Sequence, residues 1–243
     1  MTERHIVGMG GGGFHMEPEN PLLDDFVLSL ARRSPARICL VPTAGGDNRE
    51  LIIRFYRAFS GRATATDLTL IGSPTLPTNP PRSSQLESFV LEQDIIYVSG
   101  GSGVNMLALW RAHGLDKVLR KAWEQGVVMA GMSAGLICWF EEYIDASMTG
   151  TPTRMRDGLG FLKGSASPHF NVAPGRRAGY RSLIEQGLAE GYGVDEGAAL
   201  HFKGTELVEA VGSRPDAAAY RFARGADGKV GDEALPTRFL GAR

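Results

Sequence analysis

The chain has 243 residues, with 27 acidic side chains against 26 Lys and Arg and a formal net charge of −1. That balance creates no overall field for nucleic acid or an anionic membrane, and it favours a small neutral or zwitterionic substrate. The length is enough to bury a real core, and we read it as one α/β domain over 1–243.

Apolar runs rich in β-branched residues alternate with longer helical patterns. A short strand spans His5 to Met9, and a helix follows from about Pro21 to Arg33 with Asn20 as its cap. Arg37 to Val41 is the second strand, closed by Pro42, and a helix over about Asn48 to Ser60 leads to a third strand near Ala63 to Leu70. A connection rich in Gly, Pro, Ser and Thr runs from Ile71 to Ser84, and a short helix then precedes Asp94 to Val98, whose unbroken apolar run suits a strand covered on both faces. Helices over about Val104 to Ala112 and Leu115 to Gln125 come next, and then a strand from Val127 that runs into a further helical pattern. This alternation predicts an open, mostly parallel sheet with helices on both sides, whose ligands bind at the carboxyl ends of the strands. Short runs after Gly191, at Ala198 to Phe202, Glu206 to Val211 and Ala218 to Phe222, are expected to finish that sheet as antiparallel strands, and the tail from Gly225 to be loosely ordered.

The two cysteines, Cys39 and Cys138, make no disulfide framework and lack metal-ligand spacing, so both are read as buried thiols. The first five residues have no signal-peptide apolar region and no run is long enough to span a bilayer, which predicts a cytoplasmic protein without membrane partners.

The most informative segment is Val127 to Phe140, where an apolar strand enters Gly131-Met132-Ser133-Ala134-Gly135 and then a helical pattern. Glycines two before and two after Ser133 clear a tight strand-to-helix turn and leave the hydroxyl exposed over a helix N-terminus. The Ala134 amide then points to where an oxyanion would form. A second glycine-rich turn, Ser99-Gly100-Gly101-Ser102-Gly103, also follows a strand, and its Gly101 or Gly100 amide would complete a two-donor hole. The run Gly8 to Gly13 formally fits a dinucleotide fingerprint, but with His15 to Pro21 and its two prolines intervening the sequence predicts no helix at its third glycine, and the second strand ends without a ribose-binding acid. It reads as a flexible turn beside the site, and no cofactor is implied.

The serine needs a base from among His5, His15, His113, His169 and His201. His169, in Ser167-Pro168-His169-Phe170 downstream of the serine, ranks first and His15 second. His113 reads as a helix C-terminal residue beside Gly114. The orienting acid is drawn from Glu141, Glu142, Asp145 and Asp157, with Asp145 preferred because Glu141 and Glu142 fit the solvated end of a helix. No His-x-His or His-x-x-x-His spacing is present, and no metal is expected.

Three motifs taken together, Gly100-Gly101-Ser102-Gly103-Val104-Asn105, Gly131-Met132-Ser133-Ala134-Gly135 and Ser167-Pro168-His169-Phe170, resemble in order and spacing the aspartyl dipeptidase (peptidase E) family of serine peptidases, which includes cyanophycinase-like enzymes. The resemblance covers roughly residues 5 to 210. It implies a class I glutamine amidotransferase-like α/β three-layer sandwich with serine in the usual cysteine position, Ser133 as nucleophile, His169 as base and an acid near Asp145. It further implies hydrolysis of short peptides, cleavage after an N-terminal aspartate, and a homodimer. An aspartate side chain calls for a guanidinium, and Arg176 and Arg177 just beyond the histidine are its candidate sources. The rival readings are a cyanophycinase-like or other small-peptide or ester hydrolase, and a non-catalytic module that uses the same glycine loops to hold a small ligand.

Overall fold

The computed structural model describes residues 3–71, 83–147, 150–172 and 175–241. The first half alternates as expected: β1 (His5–Met9), α1 (Gly13–Met16), α2 (Leu22–Ser29), β2 (Ala36–Val41), α3 (Arg49–Phe59), β3 (Ala63–Asp67), α4 (Ser83–Leu91), β4 (Ile95–Val98), α5 (Gly103–His113), α6 (Leu115–Glu124) and β5 (Val128–Met132). Asn48 caps α3 by accepting from the amides of Glu50 and Leu51, and Gly114 closes α5 in the left-handed region. Most of the expected 71–84 connection lies outside the described residues.

After β5 come a single helical turn α7 (Ala134–Ile137), β6 (Phe140–Asp145), β7 (Thr153–Met155), β8 (Leu162–Ser167), α8 (Arg176–Glu185), β9 (Gly191–Val194), β10 (Ala198–Lys203), β11 (Glu206–Gly212), β12 (Ala219–Arg224), β13 (Val230–Ala234) and β14 (Thr237–Phe239). The central sheet has the order β14-β11-β10-β1-β5-β4-β2-β3. Its β1, β5, β4, β2 and β3 are parallel, and β10 and β11 add antiparallel beyond β1. A second sheet, ordered β13-β12-β9-β8-β6-β7, holds β6, β8 and β9 in parallel.

Four expectations are corrected here. The helix after the elbow stops at Ile137, so Glu141 and Glu142 lie on a strand whose Phe140, Tyr143 and Ile144 are buried. Ala219 to Phe222 joins the second sheet, not the first. Residues 225–241 of the tail form structure: Gly228 turns at φ 79° so that β13 pairs with β12, and β14 pairs with β11. The helix read as reaching Arg33 also ends at Ser29.

Alternation along the central strands explains the layers. Val7, Met9, Ile38, Leu40, Val128 and Ala130 face a core shared with α1 to α3, where Phe14, Leu23, Phe55 and Phe59 pack. Ile6, Cys39, Val41, Ile96 and Met129 face the opposite core, shared with α5, α6 and α7 and with Tyr143, Leu162 and Ala166 of the second sheet. A third cluster, with Ile144, Phe170, Phe222, Tyr180 and Ile184, packs α8 on the far face of that second sheet. With both faces covered, the central strands read as continuous apolar runs, and the carboxyl ends of β1, β4 and β5 become the place where loops converge.

Candidate active site

Ser133 sits where β5 meets α7, at φ 54° and ψ −107°. A non-glycine residue held there stores roughly 1–3 kcal/mol of backbone strain, which the surrounding packing must hold. The flanking glycines are required by close approach: a Cβ on Gly131 would lie 2.6 Å from the Val98 carbonyl oxygen, and one on Gly135 2.5 Å from the same atom. The short helix thus packs directly on β4; the Leu136 and Ile137 amides donate to Ser133 O at 3.0 and 3.1 Å, while those of Ala134 and Gly135 precede any intrahelical acceptor.

His169 follows β8, also at positive φ, 54°. Its Nε2 lies 2.9 Å from Ser133 Oγ, and its Nδ1 lies 2.8 Å from Glu196 Oε1. A carboxylate can only accept, so the ring proton sits on Nδ1 and the lone pair of Nε2 faces the serine hydroxyl. The His169 and Glu196 side chains are 27% and 21% exposed, open enough for a substrate to reach and sheltered enough to keep one geometry.

The structure places Glu196, and not the expected Asp145, against His169. Asp145 ends β6 with its carboxylate turned to α5: Oδ2 accepts from Gly103 N at 3.0 Å, and Oδ1 accepts from Ser147 N at 2.6 Å and from Ser147 Oγ at 2.5 Å. It caps a helix N-terminus, where a negative charge is favoured. Glu142 is bound by Arg154 and the Ala189 amide, Glu141 by the Gly164 amide, and Asp157 by Arg111 and Tyr143. The other histidines lie elsewhere. His5 and His201 contact each other at 3.0 Å, His113 ends α5, and exposed His15 lines a small cavity with Gly45, Arg54 and Gly100.

The glycine-rich run after β1 is the hub of the site, and it is buried and tied down, not flexible. Ser133 N donates to Met9 O at 3.0 Å, His169 N to Gly10 O at 3.0 Å and Gly197 N to Gly11 O at 2.9 Å. One loop thus holds the main chain beside all three side chains. A Cβ at Gly10 would fall 2.2 Å from Val194 O, so the approach demands glycine. The second glycine turn runs past the serine: a Cβ on Gly100 would lie 3.3 Å from Ser133 Cβ. Gly101 has φ 137° and abuts Ala44, whose carbonyl accepts from Ser102 N at 2.9 Å. Both cysteines are buried, and burial pushes the Cys39 thiol up to about 12 and Cys138 far above its usual value, so neither is a ready nucleophile.

The two candidate arginines part company. Arg177 binds Asp232, which also takes Arg181, and its guanidinium lies 4.4 Å from the Tyr220 ring centre. Arg176 is half-buried, its Nε has no hydrogen-bond partner among the described residues, and it lines a cavity of about 430 Å³ with Ala146, Gly179 and Ser182.

The sequence model of Peptidase family S51 matches residues 6–210, a span that holds Ser133, His169, Glu196 and both glycine-rich turns. The chain belongs to peptidase family S51. It is accordingly a serine peptidase, and over 239 residues it is 46% identical to the uncharacterized peptidase YgaJ of Bacillus subtilis (strain 168), covering 98% of this chain and 100% of that one. Two solved peptidases share the fold. A peptidase from an acI-B1 Actinobacterium superposes with a TM-score of 0.67 at 20% identity, covering 97% of this chain and 95% of its own. A candidate peptidase E of Listeria monocytogenes EGD-e superposes with a TM-score of 0.61 at 16% identity, covering 85% and 98%. Among the described residues of this S51 member, no helix is long and apolar enough to cross a membrane.

Proposed function

We propose that the protein is a dipeptidase that cleaves short peptides after an N-terminal acidic residue, through Ser133, His169 and Glu196. The observation that carries this reading is the unbroken chain from Ser133 Oγ through the His169 ring to Glu196 Oε1. In the proposed reaction His169 Nε2 takes the hydroxyl proton as Ser133 attacks the scissile carbonyl. The amides of Ala134 and Gly101 hold the oxyanion, each contributing roughly 3–4 kcal/mol to the transition state. The protonated imidazole, held by Glu196, then gives its proton to the leaving amine, and water resolves the acyl-enzyme with the same base.

Specificity for an acidic first residue rests on Arg176. Its guanidinium borders a cavity, and among the described residues it makes no carboxylate pair like the one that occupies Arg177, so Arg176 is assigned to take a substrate carboxylate. The test is a panel of Asp-Leu, Glu-Leu, Ala-Leu, β-Asp-Leu and N-blocked Asp-Leu with wild type and Ser133→Ala. The reading expects turnover of Asp-Leu, absent in the variant. Equal turnover of Ala-Leu would remove the acidic specificity, and turnover by Ser133→Ala would remove the mechanism.

A further inference from the structure

Glu196 lies on a turn outside any strand or helix, between the end of β9 at Val194 and the start of β10 at Ala198. Its main chain is held instead by two side chains, one at each pole. The Glu196 N–H donates to Asn171 Oδ1 at 2.9 Å, and its carbonyl accepts from Arg214 Nη2 at 2.6 Å. Asn171 is two residues beyond His169, so the same short segment supplies the imidazole and fixes the start of the acid's peptide.

Arg214 is itself anchored. Its Nη1 lies 2.5 Å from Glu17 Oε1, and the other oxygen of Glu17 accepts from Ser213 Oγ at 2.6 Å. Glu17 follows α1 directly and donates its own N–H to Gly13 O at 2.8 Å, which ties it to the glycine loop that holds Ser133 and His169. The guanidinium also packs on the turn: a Cβ at Gly197, where φ is 81°, would lie 3.0 Å from Arg214 Cζ. The forked guanidinium meets a carbonyl and a carboxylate at once, a geometry that a lysine's single ammonium does not reproduce. Glu17 is 12% exposed and Arg214 37%, so their ion pair adds little by charge alone and acts chiefly by direction.

We propose that Arg214, braced by Glu17, and Asn171 are positioning residues that set the place of the Glu196 carboxylate against His169. The proposal rests on the reading of Glu196 as the acid of the site. It accounts for how a carboxylate on an irregular turn keeps a 2.8 Å contact with an imidazole on another loop. It also assigns a use to Glu17 and Arg214, which are nearly 200 positions apart in the chain.

The test measures the rate at which a fluorophosphonate probe labels the full-length protein, which depends on serine activation and needs no knowledge of the peptide substrate. Arg214→Gln and Asn171→Ala should each slow labelling by about 10- to 100-fold, the scale of misplacing a reacting group by about 1 Å. In a Glu196→Ala background the same two changes should alter the rate by no more than about twofold, because they act through the group already removed. Asn171→Asp, which keeps an acceptor oxygen for the Glu196 amide, should restore most of the rate lost in Asn171→Ala. Equal losses with and without Glu196 would overturn the proposal in favour of a general structural role, as would unchanged rates in both single variants. If Arg214→Gln fails to fold, the Asn171 pair carries the test alone. Undiminished labelling of Glu196→Ala by itself would refute the role of Glu196, and the positioning role would fall with it.

Discussion

Replacing Asp145 with alanine separates the acid that caps a helix from the acid that orients the base. In the structure its carboxylate accepts from Gly103 N, Ser147 N and Ser147 Oγ, and Asp145 is only 8% exposed. Truncation leaves the buried Gly103 amide unpaired, which costs about 1–3 kcal/mol. It also removes a negative charge from the start of α5, worth roughly 0.5–1 kcal/mol. The sum of about 2–4 kcal/mol corresponds to a fall in Tm of about 4–15 °C for a chain of this size. Because Gly103 is two residues past Gly101, the glycine turn should loosen and kcat should fall by no more than about tenfold, far short of the ~10⁴-fold loss expected when the acid behind a catalytic histidine is neutralised. Differential scanning calorimetry and steady-state turnover on one preparation decide the matter. An unchanged Tm with a kcat loss of ~10⁴-fold would refute this assignment and restore Asp145 as the orienting acid.

Three further outcomes follow from the same geometry. Gly101→Ala should cost about 100-fold in kcat and lower Tm, since its Cβ would meet Ala44 O at 2.0 Å and the turn beside Ser133 must move; activity and Tm both at wild-type level would contradict the tight approach. Asp24 is buried against the Tyr97 hydroxyl, and desolvation raises its carboxyl from 3.8 to about 7. Between those two values the folded protein keeps a proton that the unfolded chain has released, so stability falls as pH rises through this window and the full penalty, at most about 4 kcal/mol, stands above pH 7. Asp24→Asn should therefore gain Tm over wild type at pH 8 and gain little at pH 4, and an equal difference at both values would remove the titration argument. Arg176→Gln should raise KM for Asp-Leu by about tenfold or more, the scale of one lost charge-assisted pair, while Arg177→Gln should act mainly on stability through Asp232; the reverse pattern would exchange their roles.

Much of this site is legible in the chain because it is local. The elbow around Ser133 is written in five consecutive residues, and the glycines at 100 and 101 in another five, since close backbone approach leaves no alternative to glycine. Glu196 is not legible in that way. Its partnership with His169 is made by parallel strands: β8 lies between β6 and β9, so the residues after β6 and after β9 both flank the loop that carries His169. Asp145 occupies one flank and Glu196 the other, and only the three-dimensional direction of each carboxylate separates them. The signal that was present is the turn Asp195-Glu196-Gly197 at the carboxyl end of a short strand, the usual place for a ligand group in such a sheet. The second sheet was hidden for a related reason. Its strands are short and split by loops, and the apolar run from Leu136 to Phe140 continues across the junction between α7 and β6 without a break in hydrophobicity. The strands of the tail are hard to read because the Asp227-Gly228 pair, a hairpin signal between β12 and β13, sits among few apolar residues.

The most direct test of the central claim is peptide mapping after fluorophosphonate labelling, by mass spectrometry, of wild type and His169→Ala. The structure predicts one adduct, on the peptide that carries Ser133, and its loss when the imidazole 2.9 Å from Ser133 Oγ is removed. An adduct on any other residue, or undiminished labelling of Ser133 without His169, would contradict the account.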